Sequence, residues 1–178
     1  MSVVDEIKKL AGQGASREGL EQATQLLVAE LATALNVRAE GDIGILVLNA
    51  TGNLLKFVAP VALYKASASF PIGQKDSLAT GVLQTKKGKV DNKFTDSKHL
   101  KFFEMTKFGK EREKPIQKVL ALPLMNGANA AGVIEICRKG ATADEAGANF
   151  TPDDAQKALA ALKPLLTDYF RTIPKDFL

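Results

Sequence analysis

Gln117-Lys-Val-Leu-Ala-Leu-Pro-Leu-Met-Asn-Gly-Ala-Asn-Ala-Ala-Gly-Val-Ile-Glu-Ile-Cys-Arg-Lys-Gly140 is the stretch that decides how this chain folds. Two strand-forming runs flank Asn126-Gly127, a dipeptide that reverses a chain because both residues accept positive φ. The second run, residues 131–137, is apolar apart from Glu135, which predicts a long buried strand. Alternation puts Glu135 on one side of that strand with Val133 and Cys137, and Ile134 with Ile136 on the other. One of those sides must be core. Glu135 therefore either meets solvent or lines a cavity as a carboxylate paired with a nearby base.

Downstream, Phe150-Thr-Pro-Asp-Asp-Ala follows a loop of small residues and opens a helix. Thr151 caps it, Pro152 occupies the favoured first position, and Asp153 and Asp154 suit the helix dipole. Ala158, Leu159, Leu162, Leu165, Leu166 and Tyr169 form its inward side, and Pro164 is predicted to break it near residues 160–163. Upstream, residues 43–49 and 54–59 flank a Thr-Gly-Asn turn, giving a second antiparallel hairpin that Pro60 stops. Short helices are predicted at 61–66 and at 78–85, the latter capped by Ser77 and closed by Lys87-Gly88. Residues 70–72 and 89–92 read as brief extended segments, 96–108 as an irregular helix, and 109–115 as a charged loop.

At the N-terminus, residues 5–12 form a short helix and Ser16 caps a longer one over residues 17–37. Leu20, Ala23, Leu27, Leu31 and Ala34 recur along it at helical spacing, and Leu26, Ala29 and Leu35 widen the stripe. So wide a stripe can cover a sheet and also meet a partner. The order of elements gives an α+β domain: a central antiparallel sheet with the terminal helices on one face and the irregular middle segment over the other.

The 178 residues fit one domain, with a core over about 17–170 and a helical extension at 1–16. No apolar run approaches the roughly 20 residues that a membrane crossing needs, and the first residues do not resemble a signal peptide. One cysteine permits no internal disulfide, which agrees with a reducing cytoplasm. The sequons at Asn49 and Asn149 are read as accidental in that setting. Between Lys86 and Lys118 eleven Lys or Arg stand against five acids, a segment of +6 in a chain of net +4. It reads as a solvated face or as the attractor of a small anion; interleaved acids and the lack of a recognition motif argue against nucleic acid.

Catalytic and metal motifs are missing: there is no glycine-rich phosphate loop and no His-Glu-x-x-His. A zinc site needs about four ligands, and the chain has one Cys and one His. His99 is the one candidate acid/base near neutrality, in polar surroundings that suit a surface, capping or pocket histidine. Cys137 reads as a buried inert thiol, with Arg138 and Lys139 leaving a redox-sensing alternative. An enzyme is not expected.

The closing hairpin followed by Phe-Thr-x-x-Asp and a helix resembles the second half of a GAF domain, a small-molecule-sensing module. Phe70-Pro-Ile-Gly and Ser77-Leu-Ala-Thr-Gly-Val-Leu-Gln-Thr-Lys-Lys-Gly-Lys-Val-Asp-Asn92 are similar to the family's middle stretch, so the likeness spans about residues 17–170. It implies a GAF/PAS-like sheet of about six strands, with a ligand cavity beneath short helices and loops at about 62–73 and 92–115. Phe94, His99, Phe102, Phe103, Lys107 and Glu135 are then the candidate ligand-binding residues, for a small anionic or nucleotide-like guest. No metal or resident cofactor is implied. The resemblance also implies a homodimer through the terminal helices, with Leu20, Leu27, Leu31, Leu166 and Tyr169 at the interface, and a downstream signalling partner. Arg138-Lys139 and Asp154-Ala155 depart from the cyclic-nucleotide-binding pattern, and a lone cysteine departs from both the bilin-carrying members and the methionine sulfoxide reductases. The alternatives are an enzyme on the same scaffold with His99 as acid/base, a redox sensor using Cys137, and a structural dimer with a filled cavity.

Overall fold

The computed structural model describes residues 1–96 and 114–177. Six strands form one sheet: β1 (Ile43–Leu48), β2 (Leu54–Ala59), β3 (Ser69–Pro71), β4 (Lys89–Asp91), β5 (Ile116–Asn126) and β6 (Asn129–Lys139). Their spatial order is β3-β2-β1-β6-β5-β4, and every pairing is antiparallel. The helices are α1 (Val3–Gly12), α2 (Arg17–Leu35), α3 (Val61–Lys65), α4 (Leu78–Thr85), α5 (Pro152–Leu162) and α6 (Leu166–Arg171). The α+β architecture expected from the order of elements is the observed one.

The central hairpin β5–β6 pairs Asn126 with Asn129. Its turn residues are thus Gly127 and Ala128, and only Gly127 takes positive φ, at 61°. That is the glycine-first pattern of a II′ turn, so Asn126 ends the strand rather than sharing the turn. The helix over 78–85 ends differently from expectation as well. Lys86 takes the left-handed cap at φ 55°, and Gly88 instead packs so closely that a Cβ would lie 2.7 Å from Leu122 Cδ2.

The helix side of the sheet carries the larger core. Ile43, Ile45, Val47, Leu120, Leu122, Leu124, Ile134 and Ile136 meet Leu20, Leu27, Leu31, Ala158, Leu162 and Tyr169. Each fully buried Leu or Ile contributes about 1.5–3 kcal/mol over its exposed state. α1 joins this core through Ile7, which has no exposed surface, so residues 1–16 pack as part of the same body. At the other end, Ile173 and Phe177 are buried in the same cluster.

Pro164 acts as expected: α5 stops at Leu162, and a separate α6 begins at Leu166. Between them the chain changes direction enough to bring Tyr169 beneath α2. There its hydroxyl meets Thr24 Oγ1 at 3.0 Å. The α2–β1 connection is held by Asp42, whose carboxylate accepts from the Arg38 backbone N–H at 3.0 Å and from its guanidinium at 3.2 Å.

Candidate functional site

The opposite sheet face is built differently. Two apolar clusters lie on it rather than one. The first gathers Leu46, Leu55, Phe57, Phe70, Ala79, Val82, Leu83, Ala121 and Val133. The second gathers Phe94, Ile116, Val119 and Cys137. Between Val133 in one and Cys137 in the other stands Glu135, with both neighbours on its side of β6 fully buried. The sequence left two positions open for this carboxylate. Strand alternation now places it on the face away from the terminal helices, half-buried at the seam between the clusters.

The residues across from Glu135 are small. Gly44 of β1 pairs with it on one side and Ala121 of β5 on the other. Lys89 of β4 is the partner of Ala121, so it continues the same row at the sheet edge. Paired residues in antiparallel strands point to the same face. The floor of the site is therefore a row running glycine, carboxylate, alanine, lysine. Leu63 from α3 and Leu78 from the first turn of α4 pack against both clusters and wall this row.

Phe94 is placed by two tethers. Asn92 accepts from the Phe150 backbone N–H at 2.9 Å and donates Nδ2–H to its carbonyl at 3.0 Å. Thr95 Oγ1 donates to Gln117 Oε1 at 3.2 Å, while Gln117 Nε2 donates to the Gly140 carbonyl at 2.9 Å. Together they fasten a 3₁₀ turn, Phe94–Asp96, against β5 and direct the Phe94 ring inward. Thr80 of α4 adds a buried hydroxyl with no hydrogen-bond partner among the described residues.

Of the six expected ligand-binding residues, Phe94 and Glu135 come to the same face. His99, Phe102, Phe103 and Lys107 lie outside the described residues, as does most of the 92–115 lid. Sequence reasoning missed Gly44, Ala121 and Leu78 for this site, while Leu63 and Asn92 fell within the expected lid spans without being singled out. The two small residues, set within strands of large aliphatic ones, were the available signal. The basic segment is also less uniform than its composition suggests. Lys118 is buried on the helix side, donating to the Gly147 carbonyl, and Lys114 pairs with Glu145. Lys86 donates to the Ala128 carbonyl at 3.0 Å.

The expected dimer residues also need correction. Leu20, Leu27, Leu31 and Tyr169 have at most 1% of their surface exposed, because they fill the protomer's own core. They have no surface left to offer a partner; of the five, Leu166 alone is partly exposed. The outward side of α2 instead presents Gln22, Gln25, Leu26 and Ala29.

Cys137 is fully buried beside Val119 and Phe94. Native alkylation of this thiol is expected to run at least about 100-fold slower than in denaturant, because only local opening exposes it. A rate approaching the denatured one, read by mass spectrometry, would mean the face is open down to β6.

No family model and no curated protein matches the chain. Solved structures do match its fold. A segment of a methyl-accepting chemotaxis protein, residues 122 to 287, aligns with TM-score 0.65 at 13% identity, covering 96% of both chains. The GAF domain of an Acinetobacter phosphoenolpyruvate-protein phosphotransferase aligns with TM-score 0.61 at 14% identity, covering 96% of this chain and 95% of that one. A type II free methionine-R-sulfoxide reductase from Thermoplasma acidophilum aligns with TM-score 0.54 at 16% identity, over 88% and 97% of the two chains.

Proposed function

Since this chain has the fold of a GAF domain, we propose that it binds a small molecule on the sheet face away from its terminal helices and signals by association. The single observation behind this reading is the seam around Glu135. An ordinary core face would be one continuous apolar cluster. Here a carboxylate with glycine and alanine on either side separates two clusters. A polar group on an otherwise apolar floor is the composition of a small-molecule site. The guest that fits has an apolar body to meet Leu63, Leu78 and Phe94. Its anionic group would lie toward Lys89, the described cation that the register brings into this row.

The association step has support in the α1–α2 side. Leu10, Leu26 and Ala29 line a groove there of about 640 Å³. A second copy using this outward side would leave the ligand face open. Among the described residues no helix is long and apolar enough to cross a membrane. We read the protein as a cytoplasmic sensor rather than an enzyme.

The test is a thermal-shift screen against nucleotides, cyclic nucleotides, oxo-acids and amino acids, followed by sedimentation with and without any hit. A saturable rise in melting temperature is expected for one class. Lys89→Gln should weaken an anionic hit by about tenfold, the loss of one charge-assisted hydrogen bond. Glu135→Gln should alter affinity without unfolding the domain. No stabilising class, or hits indifferent to both substitutions, would remove the reading.

A further inference from the structure

A cavity lies where α2, β2, α3 and the C-terminal segment meet, bordered by Phe57 of the first cluster on that face but not by Glu135 or Lys89. It measures about 340 Å³, at the lower end of the size usual for small-molecule sites. Arg17, Lys56 and Lys65 converge on it, together with Ser67 and the rings of Tyr64 and Phe177. Among the described residues no carboxylate is part of its lining, and Asp176 approaches it only through Arg17. We propose that this cavity is an anion site for a phosphate monoester.

The charges decide the ligand class. Arg17 is partly neutralised by Asp176, 3.3 Å away, with both side chains largely exposed. Among the described residues Lys56 meets neutral partners: its Nζ donates to the Phe177 carbonyl and lies 4.5 Å above the Phe177 ring. Lys65 forms no ion pair among the described residues. Among the described residues two positive charges remain after that pair in a half-enclosed space, which matches the charge of a phosphate monoester near neutral pH. Half-burial of Lys56 weakens solvent screening there, so a dianion gains more than it would at an open surface.

The shape adds a preference. Tyr64 and Phe177 lie with centroids 5.7 Å apart and their planes tilted by 44°, and the half-buried Tyr64 ring is the one with surface to offer beside the cations, since Phe177 is buried. A phosphate bearing a flat organic group can rest on the Tyr64 ring, whereas inorganic phosphate fills only the polar corner. The backbone helps to hold the corner. Ser67 adopts φ 53°, a conformation that non-glycine residues rarely take, at the end of α3. Its N–H donates to the Tyr64 carbonyl at 3.0 Å, which keeps Lys65 and Ser67 on the cavity rim.

The experiment titrates inorganic phosphate and phenyl phosphate into the full chain at constant ionic strength, with chloride as the matched control. Melting temperature and backbone amide resonances are both followed. Both ligands should raise the melting temperature saturably, phenyl phosphate at the lower concentration. The amides of Lys65, Ser67 and Ala68 should move, and those around Glu135 should stay. Lys65→Gln, at an exposed position that leaves packing intact, should weaken binding by about tenfold, and Lys65→Arg should restore it. Glu135→Gln should leave the phosphate response unchanged, so this site and the face above stand or fall separately. A response no larger than that to chloride overturns the proposal. So does wild-type affinity in Lys65→Gln.

Discussion

Gly132→Ala is expected to cost about 3 kcal/mol or more, at the upper end of what overpacking does. Gly132 lies in β6 between Val47 of β1 and Leu124 of β5, at the centre of the sheet. A Cβ there would stand 2.3 Å from the Leu46 carbonyl oxygen and 3.4 Å from Leu124 Cδ1. The first of these contacts is with backbone, so no side-chain rotation relieves it. The two strands must separate, and ladder hydrogen bonds go with them. In urea the midpoint should fall by about 1–2 M with little change in slope. Gly81→Ala provides the contrast. Gly81 is in α4 with open space around its Cβ position, and alanine there should stabilise by about 0.5–1 kcal/mol. If Gly132→Ala melts with the wild type, the β1–β6 spacing described above is wrong.

Tyr169→Ala should be comparably severe, about 3–5 kcal/mol, because a fully buried ring leaves a cavity between α2 and the sheet. Tyr169→Phe isolates the hydroxyl. It strands the buried Thr24 oxygen and should cost about 1–2 kcal/mol. Adding Thr24→Val should recover much of that loss, since both polar partners are then gone. The phenol also sets an alkaline limit. Burial is the larger influence and holds its pKa above the ordinary value near 10, outweighing the opposing hydrogen bond from Thr24. The folded state therefore keeps the proton that the unfolded state loses. This contribution is complete below pH 10 and declines as pH rises beyond it. Tyr169→Phe should flatten that decline in urea midpoints measured from pH 9 to 11. An equal decline in both proteins would place its origin elsewhere.

Glu135 shows how far a one-dimensional pattern reaches. Period-two alternation separated Val133, Glu135 and Cys137 from Ile134 and Ile136 correctly, because strand geometry leaves no other arrangement. The same pattern could not say which set faced the helices. That choice depends on what α2 and α5 cover, and on the strand order β3-β2-β1-β6-β5-β4. The α2 stripe failed in a related way. Periodicity marked Leu20, Leu27 and Leu31 as one apolar side, yet a stripe reads the same whether it meets its own sheet or a second chain. Burial inside the protomer resolves it: Leu26 and Ala29 of the widened stripe turn outward with Gln22 and Gln25, and Ala34 is exposed as well.

Local chemistry was thus written in the sequence wherever one residue type answers one backbone demand. Ser16, Ser77 and Thr151 cap helices, Gly127 turns the hairpin, and Pro164 separates α5 from α6. What only the tertiary structure decided are the meetings between distant segments. The row Gly44, Glu135, Ala121 and Lys89 comes from four strands, and the cationic cavity joins Arg17, Lys56, Lys65 and Phe177. Such sites depend on strand register and layer packing, which arise from contacts far apart along the chain, so no local window of sequence contains them.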